Sequence, residues 1–115
     1  MEEVYIKENE LNWQTHPKSQ TTQIKVLLSK QKQGAPVSCL LVSSKKGSEI
    51  PEHIHEESED IIYPLSGKAK VEIAGYGVYD LVPGTLVRVP KNTKHRVFNV
   101  EEDLLAYDVF SPAIF

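Results

Sequence analysis

Two histidines separated by a single residue, His53 and His55, are the strongest chemical feature of this chain. On an extended strand, residues i and i+2 project from the same face. Two imidazoles placed that way can converge on one ion at about 2.0–2.1 Å. Carboxylates follow at once in Glu56, Glu57, Glu59 and Asp60. A hard oxygen ligand beside neutral imidazoles suits Fe(II), Mn(II), Zn(II), Ni(II) or Co(II). A third histidine, His95, falls in another β-rich run. Three nitrogens and one oxygen leave room for water or substrate on a six-coordinate ion. An isolated His-x-His pair also occurs as a plain surface feature, and an acidic run also occurs as a solvated loop. Spacing by itself does not tie His95 to the pair.

The elements that must carry these residues read as short strands. Val4–Lys7 is predicted as a first strand, and Asn12–Gln20, with Pro17, as a polar loop. Thr22–Leu28 and Val37–Ser43 are β-rich, separated by a turn at Lys30–Ala35. Ser44–Ser48 is another turn. Lys70–Ala74 alternates, with Val71 and Ile73 on one face and Lys70 and Glu72 on the other. That period of two marks a half-buried strand. Gly75-Tyr76-Gly77 then predicts a hairpin turn and Val78–Val82 its partner strand. Pro83-Gly84 is a tight turn, and Thr85–Val89, His95–Val100 and Leu104–Phe110 complete the series. No window carries a sustained 3.6-residue apolar period. The fold class expected is therefore all-β, an antiparallel sandwich or barrel. A small barrel can hold one ligand on inward-facing positions.

The two histidine regions resemble the paired motifs of the cupin superfamily. The first motif runs G, five residues, H, one residue, H, three or four residues, E, six residues, G. Gly47, His53, His55 and Gly67 match it across residues 47–67. Counting six residues back from Gly67 places Asp60 at the acidic position, and Glu59 is the reserve candidate. Asp is one methylene shorter than the family's Glu. The second motif runs G, five residues, P, one residue, G, two residues, H, three residues, N. Gly84, Pro90, His95 and Asn99 follow it across residues 84–99. Asn92 stands where the second glycine belongs, and Asn tolerates the left-handed conformation better than most residues.

The resemblance implies a double-stranded β-helix, or jelly-roll barrel, forming a single cupin domain over residues 1–115. It implies His53, His55, Asp60 and His95 as ligands of one divalent transition metal, Asn99 as structural, and a homodimer joined through N-terminal strands or sheet faces. The function expected is that of a metal-dependent enzyme on a small oxygenated, sugar-like or organic-acid-like molecule: a dioxygenase, isomerase or lyase. A non-catalytic sugar-binding module is the alternative. The ending LAYDVFSPAIF is similar to that of small cupins of uronate breakdown, and equally suits a final strand and cap.

Composition narrows the partners. The 115 residues fit one domain, and 40% apolar with 25% charged residues is ordinary for a globular protein. The net charge of −3, with no basic stripe, argues against nucleic acid. No apolar run suits a membrane span, and the acidic N-terminus lacks the apolar core of a secretory signal. With a single cysteine, Cys39, these features point to the cytoplasm. Cys39 and Trp13 are expected to pack, Arg88 to face outward, and Arg96 to point away from any ion. Tyr63 and Tyr107 are expected in barrel packing rather than as pocket hydroxyls. His16, in the predicted loop, is expected to contribute nothing to the site.

Overall fold

A computed structural model of the chain describes residues 3–115, which form eight antiparallel strands and two short helical turns. The strands are β1 (Gln14–His16), β2 (Ser19–Leu28), β3 (Ser38–Ser44), β4 (Ile50–His53), β5 (Glu59–Ile73), β6 (Gly77–Leu81), β7 (Val87–Val89) and β8 (His95–Ser111). Their hydrogen-bonded order is β1-β2-β3-β8-β5-β6, with β4 added to β8 and β7 to β5.

The two long strands organise the sheet. The first half of β5 pairs β7, its second half pairs β6, and β8 runs alongside throughout. The register of β5 against β8 shifts three times between Pro64 and Lys70. Such irregularities bend a strand. Gly67 sits in that bend with φ +93°, and a Cβ there would lie 2.1 Å from the carbonyl oxygen of Asp103. Only glycine fits this crossing, which gives the last glycine of the first motif a steric reason.

Alternation then decides what lies inside. Val71 and Ile73 are buried from β5, as their spacing predicts, and Leu81, Val97, Leu104 and Ile24 meet them from three other strands. The helical turn Lys30–Gln33 is capped by the Ser29 side chain, which accepts from the Lys32 N–H at 3.0 Å, and ends at Gly34.

Several elements depart from the sequence expectations. Val4–Lys7 is not a strand; the described chain is irregular there and then makes one 3-10 turn at Glu8–Glu10. The predicted loop Asn12–Gln20 contains β1 and the start of β2, joined by a tight turn at Pro17-Lys18. Polar residues pair there because β1 is an edge strand with little apolar face to advertise it. The turn expected at Lys30–Ala35 contains the short helix. Thr85–Val89 shortens to three residues, and the two C-terminal strands are one continuous β8. Trp13 is not in the core; it is 36% exposed with the Lys25 ammonium 4.8 Å above its ring.

Candidate metal centre

Three imidazoles meet at one end of the barrel. His53 ends β4 and is the cross-strand partner of His95, which begins β8. Their ring centroids lie 4.2 Å apart. His55 stands two residues beyond His53, past the strand end, with its ring 5.0 Å from His53 and 5.4 Å from His95. The loop that carries it is fixed by the Asn92 N–H, which donates to the His55 carbonyl at 2.7 Å. Asn92 takes φ 56°, the left-handed conformation expected for it, so the turn of the second motif holds the loop of the first. One ligand nitrogen from each of the three rings can be chosen so that all lie within 4.8 Å of one another.

The outer ring nitrogens set the tautomers. His53 Nδ1 lies 2.7 Å from the Pro51 carbonyl and His95 Nδ1 2.9 Å from the Thr93 carbonyl. A carbonyl only accepts, so each Nδ1 carries a proton, and a ring with that tautomer presents its Nε2 lone pair to an ion. Backbone carbonyls orient metal-binding histidines in the same way. Burial, foremost, lowers the pKa of His53 and of His55, which keeps those rings neutral.

The acidic residues separate sharply. Asp60 is buried, and its Oδ2 lies 3.4 Å from His95 Nε2. Its neighbour Glu59 faces outward and pairs with Arg88. A second buried carboxylate, Asp108 of β8, shares the cavity. Burial, then the adjacent Asp60 charge, pushes the Asp108 pKa well above the usual carboxylate range. Burial pulls Asp60 the same way but is outweighed by its buried neighbours, the Asp108 carboxyl foremost, which lower its pKa, so Asp60 is the ionised member and Asp108 holds the proton. Sequence reasoning passed over Asp108, although strand alternation from Ala106 and Phe110 could have placed it inside.

Four buried polar atoms have no hydrogen-bond partner among the described residues: His55 Nε2, Asp60 Oδ1, His95 Nε2 and Asp108 Oδ1. Leaving such atoms unpaired costs about 1–3 kcal/mol each. All four belong to this cluster. His95 Nε2 and Asp60 Oδ2 are two electron-pair donors facing each other, and a proton or a cation between them would satisfy both. The residues therefore fit a divalent metal by their donor chemistry and by their unmet valences.

The surrounding cavity is about 180 Å³. Its wall is largely apolar, with Ile24, Leu40, Val42, Ile62 and Leu104 among its residues. His16 corrects a sequence expectation: it does not lie idle in a loop but lines this cavity, with its ring 6.3 Å from that of His53. Burial, with the neighbouring histidines, lowers its pKa to about 4. Tyr63 is exposed, and neither it nor Tyr107 lines the cavity. Arg96 points outward onto Glu72 and Glu49.

Comparison with known proteins agrees with this architecture. Residues 40–110, more than half of the chain, match the family model for the cupin domain. A 65-residue stretch is 34% identical to an L-ectoine synthase of Vibrio atlanticus, covering 54% of this chain and 50% of that protein. The chain thus spans about half the length of the curated relatives it matches. Among solved structures, KdgF from Halomonas sp. superposes with a TM-score of 0.79 at 28% identity, covering 95% of this chain and 94% of that one. A Thermotoga maritima protein described as a predicted oxalate decarboxylase gives 0.78 at 18% identity, over 95% of this chain and 99% of that one, and shares the fold alone. No described helix is long and apolar enough to cross a membrane.

Proposed function

This chain belongs to the cupin family, and from that premise we propose that it is a metal-dependent enzyme acting on a small oxygenated molecule inside the barrel. His53, His55 and His95 would hold one divalent ion, with Asp60 as the fourth protein ligand. The observation that carries the reading is the cluster of unpartnered buried atoms beside three mutually close histidine nitrogens. A structural core would not keep that many unmet polar atoms in one place. A bound divalent ion supplies Lewis acidity toward an oxygen of the substrate.

The remaining chemistry belongs to the chain itself. Asp108, protonated beside ionised Asp60, can give its proton to a bound molecule and, once ionised, take one back. Ile24, Leu40, Val42 and Leu104 exclude water and so strengthen each electrostatic contact within. A volume near 180 Å³ restricts the occupant to a small organic molecule. The name of the L-ectoine synthase relative is that of an enzyme, which supports turnover over storage.

The test compares metal-stripped protein with protein reconstituted with Fe(II), Mn(II), Co(II), Ni(II) or Zn(II) on a panel of small oxo-acids, hydroxy-acids and uronate-like sugars. Turnover that appears on reconstitution and vanishes in His95→Ala supports the proposal. Saturable binding without turnover by any metal form would overturn it in favour of a binding module.

A further inference from the structure

The mouth of the cavity is built by a segment outside both histidine motifs. β1 and β2 form a hairpin whose tight turn is Pro17-Lys18, and His16, Pro17 and Lys18 all line the cavity. The Lys18 backbone N–H donates to His16 Nδ1 at 2.9 Å. A nitrogen that accepts carries a lone pair, so the proton of the neutral ring sits on Nε2. The turn itself thus fixes the tautomer, and no acceptor for that Nε2–H is found among the described residues. The strand that carries the ring is anchored to its neighbour. β1 pairs β2 through Gln14↔Ile24, Thr15↔Gln23 and His16↔Ser19. Just ahead of β1, Trp13 lies under the Lys25 ammonium, which donates to the Glu8 carboxylate at 2.8 Å and to the Glu8 carbonyl at 3.2 Å. Lys25 is buried, so this clasp ties the residue ahead of β1 to β2.

We propose that His16 is a ligand-positioning residue whose Nε2–H, together with the Lys18 ammonium, receives a carboxylate at the cavity mouth. The proposal rests on the metal-dependent reading above and adds the ligand's chemical class to it. The polarity of the cavity runs one way. One side holds the electron-pair donors of part-buried His53 and His55 and of buried His95 and Asp60, where a cation fits. The mouth offers an N–H donor and an ammonium, where an anion fits. A molecule spanning the two needs an oxygen for the ion and an anionic oxygen for the mouth, and a small dicarboxylate has both. Lys18 is exposed and steers by charge, while His16 is part-buried and sets position.

Malonate is the probe, titrated calorimetrically into Zn(II)-loaded protein after metal content has been measured for each variant. His16→Phe keeps a ring and removes the donor; it should retain the metal and weaken malonate about tenfold. His16→Gln places an amide N–H where Nε2–H stood and should recover affinity to within about threefold. Lys18→Gln should weaken malonate by about threefold and flatten its dependence on salt. Malonamide, which lacks the charges, should bind at least about tenfold more weakly than malonate. Full metal content with malonate affinity unchanged in His16→Phe would overturn the inference, as would equal loss in His16→Phe and His16→Gln. Inorganic phosphate binding as tightly as malonate would overturn the carboxylate assignment. Absence of zinc from the wild-type protein would instead defeat the metal reading, independently of the malonate result.

Discussion

The inner end of the barrel and its outer face treat charged residues in opposite ways. On the outer face, the charged neighbours of the site residues pair with other charges: Arg88 with Glu59 and Arg96 with Glu72, as Lys70 does with Asp80. Inside, His55, His95, Asp60 and Asp108 keep atoms with no partner among the described residues. The two environments are one residue apart in sequence, since Glu59 precedes Asp60 and Arg96 follows His95. Strand alternation is the switch between them. The difference teaches where the chain is complete by itself and where it is built to receive something else.

The contrast is broken most severely by removing one of the buried nitrogens. His95→Ala should reduce divalent-metal affinity by at least about a hundredfold, measured by competition with a chromophoric chelator. His53→Ala should match it, because the two rings face each other across paired strands. A smaller loss separates the two neighbouring acids. Asp60→Ala should weaken metal binding by about ten- to a hundredfold, whereas Glu59→Ala should leave it unchanged. The reverse order would transfer the ligand role to Glu59.

Stability against pH sharpens the same comparison without any metal. His16, His53 and His55 have folded-state pKa values below that of an unfolded histidine. Their contribution to stability is complete above about pH 6.5 and is lost as pH falls toward the lowered values, about 4 for His16. The unfolding temperature of metal-free protein should therefore fall over that interval, and fall less in His16→Phe. Asp108 works with the opposite sign. Its raised pKa contributes stability at low pH that is lost as pH rises through the folded value. Asp108→Asn should raise the unfolding temperature at pH 7 by a few degrees, about 2–5 °C, and change it less at pH 4. A residue that costs stability at working pH is one expected from function rather than folding.

The smallest effect belongs to the outer face. Arg88→Ala should leave both the unfolding temperature and metal affinity without resolvable change, because exposed pairs are screened by solvent. A large change in either would mean that the outer pairs support the site.

Much of this was legible in the residues. The alternation of Val71 and Ile73, the hairpin turn between β5 and β6, one residue earlier than its glycines suggest, and the turn formed by Asn92 all follow from local stereochemistry. The cupin motifs carried His53, His55 and His95 to one place, which spacing alone could not do. What escaped had weak local signals. β1 is polar and three residues long, so nothing in its pattern separates it from a loop. His16 consequently read as irrelevant, because its place in the cavity depends on a hairpin that folds back over the barrel end. Asp108 was hidden for a different reason: a lone acid in an apolar strand has no motif, and its meaning comes only from Asp60 across the β5–β8 pair.

The central claim is that unmet valences at the inner end exist to bind one cation. Titration of Co(II) into metal-stripped protein, followed through the ligand-field bands of the bound ion, tests it most directly. The account predicts saturation at one ion per chain and no comparable bands when His53, His55 and His95 are all replaced by alanine. A wild-type protein that takes up no cobalt, or a triple variant that binds it equally well, would contradict it.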